Sequence, residues 1–340
     1  MPDAKFVALA VWRRARYAKL QDRNVEKSSP MTKFALLTYS TNNLGDEIQS
    51  IAARQFLPQA DFFVDRDDWT TVGSNSADGA KIILNGWFTH NPEKWPPPPF
   101  LSPCLISMHI TRERYKPTTL TNPSVTLLED KNLDYLRRHG PVGGRDLWTT
   151  SLLKQHGVES YFSGCLTLTL GADDKRDRRN FICAVDLPEK PYQVLLGRTR
   201  TPVLRLGHRD TSGGTFEQRS AKADRLLGLY AYAKCVVTTR LHCALPCLAL
   251  GTPVLFVNDV ADPYRLSGLI ELVRNCTVET FEAYSQGIDF DGPAPNSGAH
   301  MPLRNALIAR LESFTAAPMR PFCPTPAAEI DDYDPLVVDA

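Results

Sequence analysis

The stretch Cys235–Gly251, CVVTTRLHCALPCLALG, constrains the fold more than any other part of the chain. Cys235–Thr239 reads as a short buried strand. Arg240 and His242 then mark a polar corner, small and apolar residues follow, and Gly251 stops the run. Strand, corner, helix and glycine stop are the repeating phrase of an open α/β sheet. Ligands of such sheets sit at the carboxyl ends of the strands, where the next helix start presents unbonded N–H groups. An arginine and a histidine at that place suit an anion. The guanidinium can grip a carboxylate or phosphate with two parallel bonds, and the imidazole can move a proton near neutral pH. Pro246 cannot give a helix its N–H, so the regular helix is expected to begin near Ala244 or to kink. Backbone groups around Leu241–Cys243 are then free for a ligand.

The same phrase recurs along the chain. Phe34–Tyr39 reads as a strand, Ser40–Asn43 as a turn, and Ile48, Ile51, Ala52 and Phe56 repeat at helical spacing up to Pro58. Asn43, Gly45 and Asp46 occupy the corner between them, where helix capping and turn formation are sufficient reasons for their presence. Lys81–Leu84 is a second strand running into Asn85-Gly86-Trp87. Trp87 suits either a sugar-stacking platform or a hinge aromatic. Pro92–Pro103, with four consecutive prolines at Pro96–Pro99, predicts a stiff extended loop rather than a central strand. Leu105–Met108 is a strand with His109 just after it, and His109, like His90, reads as structural or solvated.

Asn132–His139 is helical, and Val142 opens a short strand into Gly143-Gly144-Arg145-Asp146. Leu147–His156 is a helix stopped by Gly157. Arg145 either faces a cleft or pairs with Asp146. An exposed pair would add only ~0–1 kcal/mol, which explains the residue weakly. Phe162–Leu170 leads out of a first domain, and Gly171–Asn180, with seven charges in ten residues, is a linker. Phe181–Val185 and Val203–Leu206 are strands, with His208 after the second. Ala221–Ala233 is a helix, Pro253–Val257 a strand, and Asp262–Asn275 a predicted helix with Arg265 at its start as a further anion contact. Leu303–Phe314 is amphipathic. Two successive sets of alternating strands and helices predict two doubly wound, Rossmann-like α/β domains. Their expected bounds are 33–170 and 181–315, with an extension over 1–32 and a proline- and acid-rich flexible tail over 316–340.

The 340 residues suffice for a sizeable core, and their length favours two domains. A net charge of +1 gives no electrostatic case for nucleic acid. The eight cysteines show no C-x-x-C spacing, so reduced, buried thiols are expected rather than a disulfide framework. Cys243 and Cys247 lack evident partner ligands, and packing rather than metal binding is expected for them. The most apolar region, Cys235–Val257, is broken by Arg240, His242, Pro246 and Pro253 and cannot span a membrane. The apolar run Phe6–Trp12 is too short for a signal peptide and precedes its basic cluster. The segment reads as a disordered extension, as residues ahead of a true start at Met31, or as a basic amphipathic helix on a membrane surface.

TTRLHCALPCLALGTPVLF resembles the R-L-H segment of the polysaccharide pyruvyl transferase family. Asn43-Leu44-Gly45-Asp46 is similar to that family's N-x-G-D loop, and Gly144-Arg145-Asp146 to its G-x-R-D helix entry. The likeness runs from about Lys33 to about Leu311. Where the family often has a glycine run, this chain has Asn85-Gly86-Trp87. The resemblance implies a GT-B-like pair of α/β domains facing a cleft. It also implies transfer of pyruvate from phosphoenolpyruvate to a sugar as a ketal, in surface or exopolysaccharide synthesis. Carried over residue by residue, Arg240 and Arg145 would bind the donor's charges, with Leu241 beside them. His242 would donate a proton or stabilise phosphate, and Asp46 would orient or deprotonate the acceptor hydroxyl. Asn43 and Gly45 would shape the loop, and His208 is a further cleft residue. No metal or other cofactor is implied. The acceptor would be a carbohydrate, lipid-linked, nucleotide-linked or polymeric, and the location cytoplasmic, at most peripheral to the inner membrane face. Two other readings stand: a nucleotide-sugar glycosyltransferase, to which Glu271 and Glu279 with seven residues between them would belong, and a non-catalytic carbohydrate-binding protein.

Overall fold

Eleven short strands assemble into two parallel sheets. The first contains β1 (Lys33–Thr38), β2 (Phe62–Asp65), β3 (Ala80–Trp87), β4 (Leu101–His109), β5 (Val142–Gly144) and β6 (Ser160–Phe162), in the order β2-β1-β3-β4-β5-β6. The second contains β7 (Ile182–Val185), β8 (Val203–Leu206), β9 (Cys235–Thr238), β10 (Val254–Asn258) and β11 (Asn275–Thr277), in the order β11-β10-β9-β7-β8. The structure is a computed structural model and describes residues 32–72, 79–88, 90–111, 123–171, 177–259 and 263–324. The expected N-terminal extension up to residue 31, the linker centre 172–176 and the tail beyond 324 lie outside the described residues.

The longer helices are α1 (Leu44–Arg54), α2 (Asp130–Arg138), α3 (Leu147–Gln155), α4 (Glu189–Leu196), α5 (Phe216–Tyr232), α6 (Leu241–Ala249) and α7 (Met301–Thr315). Strand alternation decides where the core lies. Phe34, Leu36, Ile83, Cys104 and Ile106 of the first sheet share one apolar core with Cys183, Val185, Val236, Val254 and Phe256 of the second. Their neighbours Ala35, Leu37, Ile82, Leu84 and Leu105 point into a separate core on the far face. Ile182, Ala184, Val237, Leu255 and Val257 do the same for the second sheet. The shared core also takes Ile48 and Ala52 of α1, Leu226 and Tyr230 of α5, and Leu245 and Leu248 of α6. The described residues from Lys33 onward therefore form one compact unit.

Polar contacts bind the two halves. Glu47 on α1 accepts from Arg219 Nε on α5 at 2.7 Å, both groups being buried. Burial pushes the Glu47 carboxyl up, against the pull of Arg219. Such a pair contributes more to register than to net stability.

Four local expectations are corrected. Leu101–Pro103, placed in the proline-rich loop, belong to β4, and Pro103 pairs with Ile82. Proline's fixed φ is compatible with the extended start of a strand. Among the described residues of the expected helix Asp262–Asn275, no α-helix forms. Two 3-10 turns, Pro263–Leu266 and Ile270–Leu272, lead to β11 instead. Gly268 separates them at φ +82, and a Cβ there would lie 2.8 Å from Phe162 and 2.9 Å from Leu147. Helix α6 starts at Leu241, not Ala244, and carries Pro246 inside it. All nine residues of α6 are buried, and that packing offsets a defect that costs ~3 kcal/mol in isolation. The tail does not leave the fold at residue 316. Arg320 N donates to Gln55 O at 2.7 Å and Phe322 N to Gln55 Oε1 at 2.8 Å.

Candidate functional site

Each sheet reverses its strand order once, between β1 and β3 and between β7 and β9. Crevices at such points, outside the carboxyl ends of the strands, are where α/β sheets bind ligands. Here the two reversals meet. Leu44 N, at the start of α1, donates to His208 O beyond β8 at 2.8 Å, and Asp210 N donates to Asn42 O at 2.7 Å. A Cβ on Gly45 would lie 3.0 Å from Nδ1 and 3.1 Å from Cβ of His242. The Arg265 guanidinium lies 5.1 Å from the Trp87 ring centre. The N-x-G-D and R-L-H corners thus meet, and Arg145 of the G-x-R-D corner is near enough for its charge to act on His242 and Arg265.

Three helices start at this junction, and their free amides are used differently. On α1, Asn43 Oδ1 accepts from Gly45 N at 3.2 Å, and the opposite half takes Leu44 N. On α3, Asp146 Oδ1 accepts from Thr149 N at 2.8 Å, while Leu147 N and Trp148 N bond to Ser267 O and Oγ at 3.0 and 3.2 Å. On α6, Arg240 O takes Cys243 N and Ala244 N, at 3.1 and 3.0 Å. The Leu241 and His242 amides, ahead of these, have no helical carbonyl within reach. The sequence expectation of open amides at Leu241–Cys243 therefore holds for the first two residues and fails for Cys243.

Cations surround this open helix start. Arg240 is about a third exposed, and its Nε donates to Asp186 Oδ2 at 2.5 Å. Arg145 is 1% exposed, yet its Nε and Nη2 have no hydrogen-bond partner among the described residues. Its Nε is 3.9 Å from Asp146, inside ion-pair range but too long for a hydrogen bond. Arg265 is held at about 10, first by burial and then by the positive charge of Arg145. His242 is 7% exposed, and its Nε2 has no partner among the described residues. Burial, followed by Arg145, Arg265, His208 and Arg66, holds its imidazole well below the usual histidine range. Burial and the surrounding positive charge thus keep His242 neutral.

The acidic member of the N-x-G-D corner is fully engaged. Asp46 accepts from Thr41 Oγ1 at 2.6 Å, Gln49 Nε2 at 3.2 Å and Arg66 Nη1 at 3.2 Å. Arg66, fully buried, also pairs with Asp67 at 2.8 Å. A carboxylate held by three donors fixes the conformation of the loop. His208 is buried, and its Nε2 lies 2.7 Å from the Tyr230 phenol oxygen, so its carbonyl rather than its ring serves the junction. Glu271 and Glu279 are both exposed and flank β11 in the sequence.

Two residues gain importance that the sequence did not assign them. Asp186, at φ +47 after β7, accepts from both Arg240 Nε and His208 N. His109 Nδ1 lies 2.6 Å from Asp146 Oδ2, with His109 1% exposed and Asp146 fully buried. The aspartate of G-x-R-D could have signalled a histidine partner, but that partner lies 37 residues away in sequence. Among the described residues no group of three or more His, Cys, Asp and Glu side chains is disposed to hold a metal ion. No helix among them is long and apolar enough to cross a membrane.

Gly45 tests the closeness of the junction. Gly45→Ala would force the His242 ring to move by a few tenths of an ångström, since both contacts are tighter than ordinary packing. The expected result is a turnover loss of roughly tenfold or more with little change in Tm. Unchanged turnover would show that the contact is packing alone.

Fold and site together define an α/β protein with a cationic, histidine-bearing corner between two parallel sheets. The sequence profile described as polysaccharide pyruvyl transferase matches residues 43–259, and the chain belongs to that family. No curated protein matches it. Among solved structures it is similar to a functionally uncharacterised protein, KP1_0663, from Klebsiella pneumoniae subsp. pneumoniae NTUH-K2044. That match has 12% identity, covers 73% of this chain and 93% of the other, and has a TM-score of 0.42. It is also similar to a UDP-N-acetylglucosamine 2-epimerase (10% identity, 87% and 100% covered, TM-score 0.44). A putative UDP-N-acetylglucosamine 2-epimerase from Listeria monocytogenes matches at 11% identity, with 87% and 100% covered and a TM-score of 0.45.

Proposed function

We propose that the protein transfers pyruvate from phosphoenolpyruvate to two hydroxyls of one sugar, forming a ketal and releasing phosphate. The observation that carries this reading is the open start of α6 beside Arg145, a buried arginine with two unbonded nitrogens. A buried unpaired charge costs several kcal/mol, and a compact ligand bearing a carboxylate and a phosphate would relieve it. Arg240, Arg145 and Arg265 supply cations, and the Leu241 and His242 amides supply backbone donors.

The reaction balances in protons. The methylene carbon of the donor gains one, the two acceptor hydroxyls lose one each, and the second leaves on phosphate. His242 is the donor to carbon. The charge of bound phosphoenolpyruvate would offset the arginines that keep the imidazole neutral, so the acid is formed when the donor arrives. Asp46 orients the acceptor loop through Thr41, Gln49 and Arg66. The acceptor is a carbohydrate carried on a lipid, a nucleotide or a polymer, destined for surface or exopolysaccharide. Use of phosphoenolpyruvate places the reaction in the cytoplasm, with at most peripheral membrane contact.

The test is phosphate release from phosphoenolpyruvate by the purified protein with a panel of sugar acceptors, together with thermal shift. Acceptor-dependent release and stabilisation by phosphoenolpyruvate are expected. Stabilisation by a nucleotide sugar, with none by phosphoenolpyruvate, would overturn the assignment.

A further inference from the structure

Strand β4 breaks its own alternation just before the site. Leu84 pairs with Leu105 but Gly86 pairs with Met108, so three steps on β4 oppose two on β3. The extra residue is Ser107, buried at φ +53 in the left-handed region. Regular alternation would put Leu105 and His109 on the same face of the strand. Instead, Leu105 and Met108 enter the same core, and His109 turns to the opposite side. Bulges of this kind re-aim a side chain, and a non-glycine residue held at positive φ costs of order 1–3 kcal/mol unless the surroundings impose it.

The re-aimed imidazole meets Asp146. That carboxylate uses Oδ1 to cap α3 and Oδ2 to bond His109 Nδ1 at 2.6 Å. Burial alone would raise the Asp146 carboxyl, but the His109 bond and the nearby positive charges bring it below its ordinary value. An ionised carboxylate only accepts, so Nδ1 carries the proton and Nε2 carries the lone pair. Nε2 is buried and has no partner among the described residues. Leaving such an atom unbonded costs roughly 1–3 kcal/mol, which a hydroxyl donated by a ligand would recover. The Trp87 ring stands edge-on to the imidazole at 5.8 Å, and Arg265 lies over the same indole. Burial and then Arg145 hold His109 at about 4, so it is neutral at physiological pH.

We infer that His109, aimed by the Ser107 bulge and oriented by Asp146, is the base that takes the proton from an acceptor hydroxyl. The inference rests on the pyruvyl-transfer reading. As His242 protonates the methylene carbon and the C=C bond opens, the hydroxyl oxygen bonds to the central carbon, its O–H bond breaks and the proton passes to Nε2. That proton leaves with phosphate when the C–O bond to phosphate breaks, which returns His109 to its neutral form; the second hydroxyl bonds in phosphate's place and gives its proton back to His242. Asp146 is a positioning residue, acting through the tautomer it selects.

Two variants separate this role from a structural one. His109→Asn can still donate to Asp146 but has nothing at the Nε2 position. Asp146→Asn keeps a good helix cap and presents an amide donor to Nδ1, which moves the ring proton to Nε2. Each is expected to lower acceptor-dependent phosphate release by about 10²–10⁴-fold while leaving stabilisation by phosphoenolpyruvate in place. In 15N-histidine-labelled protein, the neutral His109 ring should carry its proton on Nδ1 in the wild type and on Nε2 in Asp146→Asn. Release within about threefold of wild type in His109→Asn would overturn the inference, as would loss of the donor-induced stabilisation. A wild-type ring protonated on Nε2 would overturn the dyad whatever the activity. Failure of the wild type to release phosphate with any acceptor would instead remove the transfer reading, and the base role with it.

Discussion

Arg145→Met is expected to abolish donor binding without destabilising the empty protein. Arg145 is 1% exposed, and its nearest carboxylate, Asp146, is 3.9 Å away and already bonded to His109 and Thr149. The guanidinium therefore gives up its hydration without regaining equivalent bonds. Replacing such a group by an apolar side chain of similar length is neutral or stabilising by about 1–4 kcal/mol. For a chain of this size each kcal/mol corresponds to roughly 2–4 °C in Tm. Removal of the charge should weaken phosphoenolpyruvate by about 100-fold or more, the cost of truncating one side of a buried charge pair. Thermal scans with and without phosphoenolpyruvate read both effects at once. A Tm that falls by several degrees in the empty variant would make Arg145 a structural residue.

His242→Ala is expected to lower turnover by about 10²–10⁴-fold, the usual contribution of a placed proton donor. Its second effect is on acid stability. Burial and the surrounding cations depress the folded-state pKa of His242. The unfolded chain therefore takes up this proton first, as pH falls through about 6.5. Stability that is fully present above that value is lost below it, at up to about 1.4 kcal/mol per pH unit for this group. His109, held at about 4, adds the same sign over the window from about 6.5 down to 4. The gap in unfolding free energy between wild type and His242→Ala should thus shrink as pH drops from 7 to 5, measured by urea titration. A gap independent of pH would mean that the folded and unfolded imidazoles take up their protons over the same pH range, and the depression of His242 would be refuted.

Periodicity located most strands because two parallel sheets buried on both faces need uninterrupted apolar runs, and Phe34–Leu37, Ile182–Val185 and Val254–Val257 are such runs. It failed where packing outvoted local propensity. Pro246 stays inside α6 because every residue of that helix is buried, and Leu101–Pro103 join β4 because β3 offers them a partner. Gly268 fits a tight approach to Phe162 rather than a helix interior. The fold brings the three corner motifs together, since Gly45 reaches His242 and the charge of Arg145 acts on the same ring. Their individual roles were less legible. Asp46 reads as a cap or an acceptor-facing acid in the sequence, and only the fold shows three donors on it. His109 reads as an isolated histidine until the chain folds.

The sequence by itself determined the alternating α/β plan and the chemistry gathered at the strand ends, because both follow from local spacing and residue type. Tertiary structure alone decided which of those groups are satisfied. Ser267 and His208 close the starts of α3 and α1 from across the junction, while nothing among the described residues closes α6. A one-residue bulge at Ser107 turned His109 onto Asp146. These outcomes depend on contacts between residues far apart in the chain, and local propensity carries no information about a partner that arrives only when the two sheets bury their common core.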